Sequence, residues 1–428
     1  MKIEKKALET ALRKAKAFTG KNLPILKQVL IVGENQQVVA TDLTTFFFTP
    51  LEIKDYVQEV KHKVVFPDDN LKADMESLGK AQLVSLADYA GASPKGTKAD
   101  IVTAIMDESL KSADADEKRA DVEKLSEAFC VDPDRLLKVV GSLELKGSDM
   151  LSLLPEVGNE DSGEMFGGDG KVTRLSVGEH FQKLAISDAS EFPEYFDVEA
   201  DEPVAKISGK QLRAIACVCK EAEDAPFKEC VFFDADNDNI VATDGMRLHA
   251  DSVKVDQSVM LNFAAAMGMA GIAKEKDVVI SYSPSVRWAV MKFEKDLAYV
   301  RVDTDVNFPP YMSLLNADGQ SVMVDREKFK KVFSQAHQVS EGDFTAVGLK
   351  FNGGIDALLE NPGVGTYNRE TIEIEGTVDP EVEMSVNPKF MLDALRHIDG
   401  DKAEVRVGDG PIYVGSDKFK AAIMPVRV

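Results

Sequence analysis

The sequence has few cysteines, few histidines, no long apolar run and a shortage of positive charge. Four cysteines in 428 residues, Cys130, Cys217, Cys219 and Cys230, supply no disulfide framework and fit a reducing compartment. Cys217 and Cys219 stand two apart in an expected helix and so face different ways, which argues against a zinc site there. The five histidines, His62, His180, His249, His337 and His397, are scattered, so no metal and no cofactor is expected. No stretch approaches the ~18 apolar residues of a membrane span. The longest, Leu261 to Ala273, is too short. Met1 to Lys6 is charged where a secretory leader needs apolar residues, so a cytoplasmic location is expected. The net charge of −22, from 51 Lys and Arg against 73 Asp and Glu, at first opposes nucleic acid as a partner.

What is present is a repeat. Val39-Ala40-Thr41-Asp42 returns as Val241-Ala242-Thr243-Asp244, and Phe192-Pro193-Glu194-Tyr195 returns as Phe308-Pro309-Pro310-Tyr311. Val39 and Phe192 lie 153 residues apart while Val241 and Phe308 lie 67 apart, so the first copy carries 86 extra residues. A duplicated domain with an insertion in the first copy is the simplest reading. The length suits two to four domains, and 44% hydrophobic residues suit buried cores.

Several expected helices carry cations on one stripe and apolar residues on another. In the first, Ile3, Ala7, Leu8, Ala11, Leu12 and Ala15 oppose Lys2, Lys6, Arg13 and Lys16. Ser208 is an N-cap for a second, where Leu212, Ile215, Ala216 and Cys219 oppose Lys210, Arg213 and Lys220. After Asp325, Phe329, Val332, Phe333 and Ala336 oppose Arg326, Lys330 and His337. Asn387-Pro388 opens a helix with Met391, Ala394, Leu395 and Ile398 apolar and Lys389 and Arg396 basic; Asp132-Pro133 opens one with Leu136, Leu137 and Val140 apolar and Arg135 and Lys138 basic. A sixth, Val259 to Ala273, is almost uncharged. One such helix is an ordinary solvated face, but five in an acidic chain suggest a locally positive surface for phosphate, without sequence specificity.

Alternating, β-branched segments fill the intervals: Gln28 to Val32, Gln37 to Ala40, Phe46 to Ile53, Val172 to Val177, Val278 to Tyr282, Leu297 to Val302, Ala346 to Phe351, Thr371 to Val378 and Ala403 to Val407. Regular strand-helix alternation is missing, which excludes a doubly wound parallel sheet. The pattern predicts an α+β architecture of antiparallel sheets covered by a few helices. An enzyme reading would make Asp42 and Asp244 metal ligands, but neither has a second carboxylate or His at ligand spacing, so a turn role is expected. Gly158 to Gly170 fails as a phosphate loop, since Met165 stands where Gly is needed and Val172 where Ser or Thr is needed.

Taken with Leu23-Pro24-Ile25-Leu26, Glu191-Phe192-Pro193, Thr243-Asp244-Gly245-Met246-Arg247-Leu248, Asn307-Phe308-Pro309, Asn387-Pro388-Lys389-Phe390-Met391 and Ile423-Met424-Pro425-Val426-Arg427-Val428, the chain resembles the bacterial DNA polymerase III β subunit, the sliding clamp. The resemblance implies three similar domains, 1–198, 199–315 and 316–428, with helices lining a hole and sheets outside. It implies a head-to-tail homodimeric ring around double-stranded DNA, non-catalytic and without cofactor, serving replicative polymerase, clamp loader and other proteins bearing a clamp-binding motif. The basic residues named above then line the hole. A partner-peptide pocket is implied at Phe227, Thr243, Gly245, Met246, Arg247, Leu248, Pro309, Leu314, Phe390, Met424, Pro425, Val426 and Arg427, with the two arginines as donors at its rim. Met246 stands where the family commonly has His. The ring interface is implied at Phe181 and Leu184, facing the region of Val339. The insert, about 70–127, is similar to a SAP-type helical module through Leu78 to Ala87 and Gly96 to Ile105. DNA contact through Lys80, Lys95 and Lys98, protein docking and an inert role stand as alternatives for it.

Overall fold

The Thr-Asp repeat folds into the same turn twice. Thr41 Oγ1 accepts the Leu43 N–H at 3.0 Å, and Thr243 Oγ1 accepts the Gly245 N–H at 3.1 Å. Leu43 and Gly245 both have positive φ, 77° and 86°. Only glycine adopts that region without steric cost, so Leu43 holds the shared geometry against roughly 1–2 kcal/mol of strain. Gln36 and Asp238, in the preceding turns, share φ of 49°. The repeated sequence is therefore a repeated backbone.

A computed structural model describes residues 1–54, 83, 87, 97–111, 128–143, 150–157, 171–177, 180–199, 203–338, 346–361, 365–378 and 381–426. They divide into two compact units, Met1–Leu43 with Phe48–Glu194, and Thr44–Phe47 with Tyr195–Val428. The first contains β1 (Lys2–Glu4), α1 (Lys5–Lys16), β2 (Val29–Val32), β3 (Gln37–Thr41), the latter half of β4 (Thr45–Pro50), β5 (Ile53–Lys54), α2 (Lys98–Lys111), β6 (Ala128–Val131), α3 (Pro133–Ser142), β7 (Met150–Val157), β8 (Lys171–Val177), β9 (His180–Ala185) and β10 (Ser187–Asp188). Its strands run antiparallel in the orders β5-β1-β7-β8-β9 and β10-β6-β2-β3. Leu8, Leu12, Leu136 and Val140 bury the inner faces of α1 and α3, which pack on each other.

The second unit contains β11 (Pro203–Ser208), α4 (Gly209–Ala216), β12 (Cys230–Asp234), β13 (Asn239–Thr243), β14 (Arg247–Ser252), β15 (Val259–Asn262), α5 (Phe263–Ala273), β16 (Asp277–Ser283), β17 (Trp288–Phe293) and β18 (Asp296–Arg301). After these come α6 (Met312–Leu315), β19 (Gln320–Asp325), α7 (Arg326–Gln338), β20 (Val347–Phe351), β21 (Ile355–Asn361), β22 (Gly365–Ile372), β23 (Ile374–Glu375), β24 (Val382–Val386), α8 (Pro388–Leu395), β25 (Lys402–Val407), β26 (Ile412–Gly415) and β27 (Phe419–Ile423). A nine-stranded antiparallel run, β15-β12-β13-β14-β27-β26-β25-β19-β23, is interleaved in sequence with the antiparallel groups β18-β17-β16-β11 and β22-β21-β20-β24. Helices pair as α4 with α5 and α7 with α8.

Five expectations need correction. Lys2 and Ile3 belong to a strand, not to the first helix, because Ile3 pairs with Ile53 and Leu151 and is fully buried between them. The 259–273 segment is a strand followed by a helix: Cys230 pairs with Asn262, whose side chain then accepts the Ala264 N–H at 2.8 Å and caps α5. The helix after Ser208 stops at Ala216, where the Val218 and Cys219 N–H groups turn back to Ile215 and Ala216, so Cys217, Cys219 and Lys220 lie past its end. The Phe46 to Ile53 run breaks into β4 and β5, and Thr371 to Val378 breaks into the end of β22 and the short β23. Ser208 does cap α4, in a reciprocal capping box with Gln211, and Asp132 and Asn387 cap α3 and α8.

Gly209 at the start of α4 lies against the end of α5. A Cβ there would approach Lys274 O to 2.6 Å, Lys274 N to 2.8 Å and Ala270 O to 2.9 Å, all backbone atoms. Gly209→Ala is expected to destabilise the chain by about 1–3 kcal/mol through this overpacking. A fall in thermal midpoint checks it, and an unchanged midpoint would show that α5 yields freely.

Candidate partner pocket and nucleic-acid interface

The pocket residues that the sequence singles out are gathered by one strand pairing. β14 runs antiparallel to β27 with Arg247 opposite Ile423 and Asp251 opposite Phe419. One step beyond, the Met424 N–H donates to Met246 O at 2.9 Å, which sets two large exposed apolar residues on adjacent strands. Leu314, on α6, is a third exposed apolar residue, and α6 packs on β27. Beneath them lies a core of Val241, Leu248, Ala250, Tyr311, Leu315, Tyr413 and Ala422.

The turn before β14 is held by its own side chains. Asp244 Oδ1 accepts the N–H groups of Met246 and Arg247, both at 2.9 Å, and Thr243 Oγ1 donates to Arg247 O at 2.7 Å. Asp244 thus serves the turn, as its lack of ligand partners implied. Any side chain at Gly245 would meet Lys228 Cε at 3.2 Å besides straining the backbone. The Phe-Pro-Pro-Tyr segment closes the next side. Phe308 stacks on Phe232 with ring centroids 5.1 Å apart and meets Phe227 and Tyr311 edge-on at 6.3 and 6.0 Å. Tyr311 donates its hydroxyl to Asp234 at 2.7 Å. Aromatic pairs of this kind contribute about 0.5–1.5 kcal/mol each beyond burial, enough to fix the linker against the sheet. Pro309 and Phe227 are half-buried.

Arg247 departs from the expected rim donor. It is 7% exposed, lies with its guanidinium carbon 4.4 Å from the centre of the Phe390 ring, and pairs with Asp393 at 2.7 Å. Its Nε is 3.4 Å from Asp244 yet has no hydrogen-bond partner. The cation is thus part of the wall, tying β14 to α8. Pro425 and Val426 leave the pocket along β24, where the Val426 N–H donates to Ser385 O at 2.7 Å. Arg427 lies outside the described residues.

Below this wall is a cluster the sequence did not reveal. Cys217 Sγ is 3.9 Å from His249 Nδ1 and 3.8 Å from His397 Nε2, and His249 Nδ1 lies 2.7 Å from Ala214 O. Burial depresses both imidazoles, His249 to about 3 and His397 to about 4, so both are neutral. Burial likewise pushes the Cys217 thiol up to about 11, which leaves it unreactive. The four cysteines are free.

The cations assigned to a phosphate-facing surface fall into two groups. Lys16 pairs with Asp134 at 2.5 Å, Arg135 with Asp132, Lys210 with Asp399 at 2.7 Å, Lys330 with Glu327 and Arg396 with Asp393. Arg326 is half-buried and donates to Ile398 O at 2.9 Å. The side chains of Lys6, Arg13, Lys138, Arg213, Lys220 and Lys389 are exposed without a hydrogen bond or ion pair among the described residues. Lys2 is exposed on β1. Arg13 and Lys16 sit in the last turn of α1 and Arg213 in that of α4, where the helix dipole favours cations by about 0.3–1 kcal/mol. Part of the basic bias is therefore helix chemistry. Lys98 is exposed at the start of α2, while Lys80 and Lys95 lie outside the described residues. Leu184 is half-buried; Val339 and the Phe181 side chain are not described. Among the described residues no His, Cys, Asp and Glu cluster is arranged to hold a metal, and no helix is long and apolar enough to cross a membrane.

Residues 313–427 match the family model for the DNA polymerase III beta subunit, C-terminal domain. No curated protein matches. Among solved structures, a DnaN sliding clamp from Bartonella birtlesii bound to griselimycin aligns with a TM-score of 0.69 at 16% identity, over 100% of this chain and 99% of that one. The Bacillus subtilis DNA polymerase sliding clamp aligns at 0.68 and 18%, over 100% and 98%. A Pseudomonas aeruginosa sliding clamp with ligand aligns at 0.67 and 16%, over 100% and 99%. The mixed helices and antiparallel sheets of this chain are the sliding-clamp fold.

The neutral histidines make stability depend on pH. Their folded values lie below the ordinary 6.5, so the unfolded chain takes up protons first as pH falls. Stability linked to them is complete above about pH 7 and declines through the 6.5 region toward 4. Denaturant midpoints between pH 7 and 5 should fall, and fall less in His397→Gln; parallel profiles would remove His397 from the account.

Proposed function

We propose that the chain is a DNA sliding clamp, a processivity subunit in which two copies close head to tail around duplex DNA. The observation that carries this reading is the likeness of fold over the whole chain to solved sliding clamps, joined to a C-terminal family match. In this reading 1–198, 199–315 and 316–428 are three clamp domains, and the repeated Thr-Asp turn is the trace of their duplication. Phe181 and Leu184 of one protomer meet the region of Val339 in the other. The exposed cations of α1, α3, α4, α8 and the segments beside them face the duplex through its phosphates. The ion-paired ones contribute less, because each already spends its field on a carboxylate. The insert at about 70–127 is an appended SAP-like helical module with Lys80, Lys95 and Lys98 toward nucleic acid.

The mechanism asks for little affinity. A closed ring need only avoid sticking: weak, non-specific phosphate contact lets it slide, and closure prevents lateral escape. Partners attach by short peptides at the Met246, Met424 and Leu314 pocket, where flexible thioethers adapt to apolar anchors. Arg247, held by Asp393 and Phe390, fixes the wall those anchors meet. The replicative polymerase and the clamp loader are the expected partners, in the cytoplasm.

Loading onto nicked circular DNA followed by linearisation should release the protein, whereas retention on cut, unblocked ends would refute sliding. Deleting Met424 to Val428 should abolish binding of a polymerase-derived clamp-binding peptide by removing one pocket wall, while native mass still reports a dimer. Unchanged peptide affinity would remove the pocket assignment, and a monomeric parent chain would refute closure of the ring.

A further inference from the structure

The duplicated backbone makes a second groove where the first unit of the repeat would predict one. Beside the chain leaving β27 lies a cavity of about 1010 Å³, bounded by Pro425 and Val426, by β24 and by the β25–β26 turn at Asp409. Beside the chain leaving β18 lies a cavity of about 500 Å³, bounded by Val302 and Thr304, by Met260 and Asn262 of β15, and by Arg287 of the β16–β17 turn. The frames correspond bond for bond. The Arg301 N–H donates to Thr44 O at 2.8 Å as the Met424 N–H donates to Met246 O at 2.9 Å. Asn262 ends β15 and caps α5 as Asn387 follows β24 and caps α8.

The walls differ in the cations they offer. In the β27 groove the turn and strand supply Asp409, Glu381 and Glu383, and the one lysine, Lys350, is bound to both glutamates. In the β18 groove the corresponding turn supplies Arg287, and Arg301 stands at the place of Met424. Both arginine side chains are exposed and make no hydrogen bond or ion pair among the described residues. Two of the three carboxylates nearby are committed to backbone: Glu229 accepts the Ala222 N–H at 2.7 Å and Asp303 accepts the Asp305 N–H at 3.0 Å. Met260 and Val302 give the floor an apolar strip.

We propose that the Arg287–Arg301 groove is a second docking site, which receives a short acidic, aliphatic segment of a partner protein. Two free guanidinium forks over an apolar floor match carboxylates alternating with aliphatic side chains. Because the groove lies outside the Met246–Met424 pocket, a partner can occupy both, and linkage of two weak segments multiplies residence.

The chain contains a single tryptophan, Trp288, which follows Arg287 and is the cross-strand partner of Arg301, so its emission reports on the groove. The full chain is titrated with fluorescein-labelled Glu-Asp-Glu-Leu-Leu at low salt, following anisotropy, and with the unlabelled peptide, following Trp288 emission. Saturable binding is expected, weakened about tenfold or more in Arg287→Glu/Arg301→Glu and unaffected by deletion of Met424 to Val428. That deletion separates this site from the proposed partner pocket. The altered side chains are exposed, so thermal midpoints should match the parent; Arg301→Gln, with a smaller loss, guards against a misfolded double variant. Equal affinity in the arginine variants, no saturation, or equal binding of a Lys-substituted peptide would overturn the proposal, as would stronger arginine-dependent binding of oligothymidylate.

Discussion

The pairing of β14 with β27 is the constraint on which the rest of the site depends. Its register places Arg247 opposite Ile423, and everything at the pocket follows from that alignment. A slip by one residue would exchange the two faces of each strand, since side chains alternate with a period of two. Leu248 and Ala422 would leave the core, and Met246 and Met424 would no longer lie side by side. Three local devices prevent the slip. Asp244 and Thr243 fix the turn entering β14, Gly245 alone accepts its φ without strain, and the Arg247, Asp393 and Phe390 contacts tie the strand to α8. A buried pair such as Arg247 with Asp393 adds little net stability because both charges lose water. Its value is geometric: one planar cation satisfies a carboxylate and covers a ring at a single position.

Charge in this protein is organised by neighbourhood rather than by sum. With an excess of acid, several surface lysines find a carboxylate, as Lys16, Lys210 and Lys402 do. Such exposed pairs contribute at most about 1 kcal/mol and leave little field beyond a Debye length. The cations that escape pairing are therefore the informative ones. They include Lys6 and Arg13 of α1, Lys138 of α3, Arg213 of α4, Lys389 of α8 and the two arginines of the groove beside β18. In the proposed ring such a sparse lining is sufficient, because residence would come from closure and friction from tight contact.

Local chemistry was legible in the sequence; long-range pairing was not. Ser208, Asp132 and Asn387 announced helix starts because capping is decided within four residues. Asp244 announced a turn for the same reason. Lys2-Ile3-Glu4 read as helix because Ile3 extends the apolar stripe of α1, and only its partners Ile53 and Leu151, far away in the chain, make it a strand. Val259 to Ala273 read as one helix because its apolar content is continuous; the pairing of β12 with β15 divides it. The nearness of Met246 to Met424 was legible through motif order, whereas the burial of Arg247 was not, since it requires Asp393 and Phe390 to arrive from a distant helix. Cys217, His249 and His397 escaped notice for the same reason: they come from three elements with no common spacing.

The two grooves show how a duplicated frame diverges. Backbone bonds such as Met424 to Met246 and Arg301 to Thr44 are required in both copies, because an unpaired strand end would leave polar groups without partners. The residues that line the groove walls are under no such demand. Arg287, Arg301 and Asp409 are exposed, and substitutions at exposed sites usually change stability by less than about 0.5 kcal/mol. Selection can therefore set the charge of each groove without disturbing the sheet beneath it. A neutral drift of exposed residues in so acidic a chain would be expected to leave arginines beside carboxylates, as at Arg135 and Arg396. Two guanidinium groups kept free on neighbouring segments of one cavity wall are what that drift does not readily produce, and their lack of an ion pair with the carboxylates that line the same cavity is the reason to assign them a ligand.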